Sequence, residues 1–181
     1  MIRKEKGLSL IEVMICILFF SVISLSVYDH YNRSAEQHYM NNVSVVMCRY
    51  ADALSYYLQD KTVSNSSVSL SELISSGYLP SIPEGASVSG YEIKMYVDNK
   101  KNGLIALYGD EHYSLTIKSM KQFLGIRGAS VEGDKIISVG GYYSLPVSRF
   151  TSFSSDKLRG LMLIPFIQTS GQNCDRGGYD F

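Results

Sequence analysis

The run from Leu8 to Tyr28 constrains this chain more than any other stretch, because its 21 positions hold one charged residue, Glu12. At the rise of an α-helix it would extend roughly 30 Å, the thickness of a bilayer hydrocarbon core. Its length and composition suit a membrane span. Before it stand Arg3, Lys4 and Lys6 against a single Glu5. By the positive-inside rule these basic residues hold the N-terminus in the cytoplasm and send the chain beyond about residue 30 outward. A cleavable secretory signal shares the basic start and the apolar stretch. This run is longer than the usual signal core, and Ser24 to Ser26 is the nearest approach to a small-residue cleavage site, so a retained span is the expectation.

Within that frame, Gly7-Leu8-Ser9-Leu10-Ile11-Glu12-Val13 resembles the prepilin peptidase site of type IV pilins and of type II secretion pseudopilins. The resemblance implies that residues 1–7 are a leader removed after Gly7. It implies further that Leu8 becomes an N-methylated N-terminus, and that Glu12 pairs with the N-terminal amine of a neighbouring subunit during assembly. Physical chemistry places its own demand on Glu12, since a carboxylate in a membrane helix costs a few kcal/mol or more unless paired. Two features depart from the commonest pilin pattern. Leu8 stands where many type IVa pilins have phenylalanine, which leans toward the type IVb branch, although the seven-residue leader is short for a type IVb major pilin and points to a minor one. The helix also lacks proline, which predicts a straighter rod.

Past the apolar run, Tyr39, Val43, Val46, Tyr50, Ala53 and Tyr57 recur at alternating spacings of four and three, with Met47 and Leu54 beside them. That is helical period, and it predicts one helix from Leu8 to about Gln59, roughly 78 Å long at standard rise, with an apolar stripe on its C-terminal half. The stripe is expected to pack on a sheet. Lys61 to Ser69 is serine-rich and aperiodic and reads as a loop. Ser69-Leu70-Ser71-Glu72 has capping-box spacing before a short helix at 70–76 that Gly77 ends, and Tyr78 to Pro83 reads as extended. Period two from Tyr91 to Val97, a polar turn at Asp98 to Gly103 and the run Leu104 to Tyr108 predict a hairpin. His112 to Ile117 is the expected third strand of an antiparallel meander. A brief helix at Ser119 to Leu124 and a strand at Lys135 to Val139 complete the legible part, and the type of the apolar segment Leu158 to Ile167 stays open. The expected fold is α+β, and the resemblance makes it the type IV pilin fold: a long N-terminal helix whose C-terminal half packs on an antiparallel sheet. The expected divisions are a leader (1–7), the membrane or filament-core half of the helix (8–30) and a globular domain (31–181) that includes the amphipathic helix half 31–59.

Three cysteines leave one over. Cys16 lies in the apolar run, so Cys48 and Cys174 are the disulfide candidates, although Cys48 falls on the flank of the stripe and pilins usually carry both cysteines late in the chain. Their pairing stays open. His30 and His38 are eight residues apart on one helix, too far to share a metal without other ligands. Asp110-Glu111-His112 has turn composition, and no nucleophile elbow, P-loop, dinucleotide fingerprint or C-x-x-C occurs in the sequence. No catalytic residue, metal or cofactor is expected, and the chain is not expected to be an enzyme. With 17 basic and 17 acidic residues there is no net charge to attract nucleic acid, and Lys100 and Lys101 read as a solvated turn.

The resemblance therefore implies a structural subunit, a minor pilin taking part in pilus assembly or initiation and in adhesion. Its partners would be other pilin subunits, the prepilin peptidase and methylase, the assembly machinery and the bacterial inner membrane. The globular domain would sit in the periplasm and then on an extracellular pilus. A type II secretion pseudopilin is the near alternative, and a membrane-anchored periplasmic binding protein or enzyme the distant one.

Overall fold

The structure, a computed structural model, describes residues 10–61, 66–79, 90–110 and 116–165. Its first element is the helix α1 (Leu10–Asp60), uninterrupted over 51 residues, as the absence of proline allows. The chain divides into two units, one up to Tyr39 and one from Met40 onward.

The unit from Met40 is built around a four-stranded antiparallel sheet in the order β1 (Ser66–Val68), β2 (Tyr91–Val97), β3 (Gly103–Gly109) and β7 (Leu158–Ile164). The hairpin β2–β3 pairs in unbroken register from Tyr91 opposite Gly109 to Val97 opposite Gly103. The third place, however, is not taken by the segment expected there. Thr116 caps the helix α3 (Ile117–Phe123), so the last two residues of the expected strand belong to a helix and its cap, and residues 112–115 lie outside the described residues. The neighbour of β3 is instead β7, drawn from the late apolar segment whose type the sequence leaves open.

The middle strand β3 is covered on both sides, which explains why Gly103 to Leu107 shows no alternation of apolar and polar residues. On one face the C-terminal part of α1 lies close: a β-carbon at Gly103 would come within 3.0 Å of Leu54 and 3.1 Å of Leu58. On the other face Leu104 and Ala106 join Tyr96, Leu161 and Leu163 in a core closed by Ala129, Ile136 and Phe150. Two of these come from a second antiparallel sheet, β4 (Ala129–Glu132), β5 (Lys135–Ser138) and β6 (Ser144–Pro146). Its middle strand follows the Glu132-Gly133-Asp134 turn, with Gly133 at φ +63°.

Burial along α1 is wider than a single stripe. Met40, Ser44, Ala51, Ser55 and Leu58 are buried beside the expected Val43, Val46, Met47, Tyr50, Ala53, Leu54 and Tyr57, while Tyr39 is half-buried. Both serines satisfy themselves locally, each donating its hydroxyl to the carbonyl three residues back.

The expected loop at 61–69 needs correction, because Ser66–Val68 forms an edge strand against Met95–Val97. Ladder hydrogen bonds rather than side-chain propensity make this strand. The helix α2 (Leu70–Ser75) then begins as expected, with the Ser69 hydroxyl accepting from the Glu72 amide at 3.1 Å. It ends in a Schellman arrangement: the amides of Tyr78 and Gly77 donate to the carbonyls of Leu73 and Ile74, and Gly77 sits at φ +81°. The side chain of Glu72 serves a different end from the expected box, accepting a short hydrogen bond from the Tyr57 hydroxyl and so tying α2 to α1.

That bond, followed by burial, pushes the Tyr57 phenol up to about 12. Because the folded-state value is raised, the contribution of Tyr57 is fully present below pH 10 and is lost as pH rises toward 12. Tyr57→Phe is expected to cost about 1.5 kcal/mol at pH 7, the range for a hydrogen bond to a charged group. The gap between variant and parent should close between pH 10 and 12, as urea midpoints at each pH will show. A gap independent of pH would exclude the Tyr57–Glu72 bond as its source.

Candidate functional site

The unit up to Tyr39 is helix alone, and every described residue from Leu10 to Arg33 is exposed. Leu10 is 78% exposed, Phe19 66%, Phe20 71% and Leu25 69%. A window of 18 residues in this helix has a mean hydropathy of 2.6 with nothing buried, long and apolar enough to cross a membrane.

The few polar groups of the run do not form a face. At 100° per residue, Cys16, Ser21, Ser24 and Ser26 scatter around the axis, and Ser21 folds its hydroxyl onto the carbonyl of Ile17 at 2.8 Å. A helix apolar all round is one made to be surrounded, by lipid or by other helices. An amphipathic helix resting on a globular body would instead show a solvated side. By length and composition this segment is compatible with a membrane span.

Glu12 lies near the start of the described part of α1. The next charge, Asp29, comes 17 residues later, about 25 Å along the axis, and forms an i,i+4 ion pair with Arg33 at 3.0 Å. Gly7 and Leu8 lie outside the described residues. So does Cys174, while Cys48 is half-buried on α1 and disulfide-bonded and Cys16 is free and exposed.

The remaining candidates fall apart in space. His30 and His38 are exposed on α1, and among the described residues no cluster of histidine, cysteine, aspartate and glutamate has the makings of a metal site. Asp110 makes an exposed ion pair with Lys157 at 3.0 Å, raising the Lys157 ammonium above its ordinary value, and Glu111 and His112 lie outside the described residues. Lys101 takes the left-handed conformation at φ 63° and reaches the Gln59 carbonyl at 3.4 Å, which ties the hairpin turn to the end of α1.

Sequence reasoning missed the polar groups that organise the globular unit. Arg127, 8% exposed, pairs with Asp52 of α1 at 2.7 Å. Asp98, fully buried, accepts from the backbone amides of Lys100 and Asn102 at 2.8 Å each and from the Asn102 side chain at 2.7 Å. The second had a legible signal, since aspartate opening a hairpin turn is the residue that folds its carboxylate onto amides two and four positions on.

Comparison with protein-family models, with curated proteins and with solved structures finds no match for this chain. What stands is an α+β protein with a long N-terminal helix, an antiparallel sheet against its C-terminal part, and an exposed apolar N-terminal part.

Proposed function

We propose that this protein is a type IV pilin-like structural subunit, a minor pilin of a type IVb-like pilus. The observation that carries the reading is the helix α1. One half is apolar all round and exposed, with Glu12 as its lone charge to Tyr28, and the other is buried against a sheet. In this reading residues 8–30 hold the subunit in the inner membrane after synthesis. Prepilin peptidase removes residues 1–7 after Gly7, Leu8 is N-methylated, and the same helix then packs among its counterparts as filament core. The role is assembly and initiation, with the globular unit exposed on the pilus for adhesion. It requires no catalytic group and no cofactor.

Glu12 is the residue whose cost assembly offsets. Inside a bilayer a carboxylate is held at a penalty, and the Leu8 amine released by cleavage provides a cation to pair with it in a neighbouring subunit. The disulfide at Cys48 would close on Cys174, the remaining cysteine of the three once Cys16 is free.

Co-expression with a prepilin peptidase, read by mass spectrometry of the intact chain, tests this. The parent should appear with Leu8 as its methylated first residue, whereas Gly7→Val should retain Met1. Glu12→Ala should be inserted and cleaved normally yet be lost from sheared filaments. A parent chain that keeps Met1, beside a control prepilin that is processed, overturns the reading.

A further inference from the structure

The aromatic residues of the exposed helix change type along its length. Phe19 and Phe20, which have no polar atom, stand in the middle of the apolar run, and no tyrosine occurs before its end. Tyr28 and Tyr31 then follow at the i,i+3 spacing that places them on one face, 67% and 71% exposed. The ion pair Asp29–Arg33 occupies the same level, so the charge that begins there is internally balanced. Tyrosine combines an apolar ring with a polar hydroxyl and concentrates where hydrocarbon meets headgroups. From Glu12 to Tyr28–Tyr31 is about 24 to 28 Å of helix, close to the thickness of about 30 Å that a hydrocarbon core presents.

We infer that Tyr28 and Tyr31 form an interfacial collar, a surface for the headgroup and carbonyl zone of the outer side of a bilayer, which fixes how deep α1 sits. Beyond them Asn32 to His38 is polar apart from Ala35, and this stretch of helix stands in water. The collar rests on the membrane reading of Leu10–Tyr28 but adds to it: length and hydropathy allow the helix to slide or tilt, and the tyrosine pair selects one depth. Span length alone specifies no such register, since tilt and depth follow from interfacial anchors.

The full chain, in a Cys16→Ser background, is reconstituted in phosphatidylcholine nanodiscs with single reporters Ser24→Cys, Ser26→Cys, His30→Cys, Asn32→Cys or Ser34→Cys. Labelling by a charged maleimide is then measured. Ser24→Cys and Ser26→Cys should resist labelling, with Asn32→Cys and Ser34→Cys open and the boundary near residue 30. Adding Tyr28→Ala with Tyr31→Ala should move that boundary by about one helical turn or spread it over several positions. Replacing both with tryptophan should restore it. A boundary unchanged by the alanine pair overturns the collar while leaving the span intact. Free labelling at every position of the parent overturns the membrane reading itself.

Discussion

Phe19→Arg is expected to lower the equilibrium constant for membrane insertion of the full-length chain about a hundredfold, with a corresponding fall in the integrated share. Phe19 is near the centre of the 8–30 segment and is 66% exposed. A guanidinium introduced there meets hydrocarbon on every side. Insertion scales place arginine at a helix centre at about 2.5 to 3.5 kcal/mol unfavourable, which at 1.4 kcal/mol per tenfold is roughly two orders of magnitude. Phe19→Leu should behave as the parent. The measurement is the fraction of chain resistant to alkaline extraction of membranes, with a glycosylation-site reporter scoring whether the helix crosses. The globular unit supplies a control, because position 19 belongs to the other unit, the one up to Tyr39: urea midpoints in detergent should be equal for all three chains. Equal membrane integration of Phe19→Arg and Phe19→Leu would mean that the exposed helix is covered by something other than lipid.

What the sequence made legible was what is decided locally. The long helix announced itself through hydrophobic period and lack of proline, α2 through Ser69 and Gly77, and the hairpin through period two and a polar turn. The failures are of one kind. The strand β7 pairs with β3 across some fifty intervening residues, and being buried almost throughout it lacks the alternation that would mark it as a strand. β1 is three residues of serine and valine held by an edge ladder, a conformation that composition argues against. Glu72 has capping-box spacing, yet a phenol fifteen residues earlier competes for its carboxylate and wins. Each miss is a case of tertiary partners overriding a local signal. For the candidate site the balance is the reverse: its decisive features, an unbroken apolar run and one carboxylate, are read directly from the sequence, and the described residues of the run are exposed.

The second large effect lies in the hairpin turn, where Asp98→Ala is expected to destabilise the globular unit by about 3 kcal/mol. Asp98 follows β2, has no exposed surface, and directs one oxygen at two backbone amides and the other at the Asn102 side-chain amide. Arg149 approaches the second oxygen at 3.7 Å and is itself about one-third exposed, so its charge keeps access to water. Alanine removes the acceptor and leaves three donors in place, and an orphaned buried donor costs about 1–3 kcal/mol, less where the loop relaxes to hydrate it. Loss of the partially buried ion pair adds to this, below the 3–5 kcal/mol of a fully buried pair. The turn holds the register of β2 against β3, with Asp98 also donating its amide to the Asn102 carbonyl at 3.0 Å, so the defect falls on the central strands of the sheet. Asp98→Asn discriminates between shape and charge. It retains one carbonyl oxygen of the right reach but turns the other acceptor into a donor facing Asn102 and Arg149, and should cost about half as much as alanine. Chemical denaturation should rank parent, asparagine and alanine in that order with equal slopes. If alanine proves as stable as the parent, the carboxylate is not what holds the turn, and the backbone bond between Asp98 and Asn102 suffices to set the register of the hairpin.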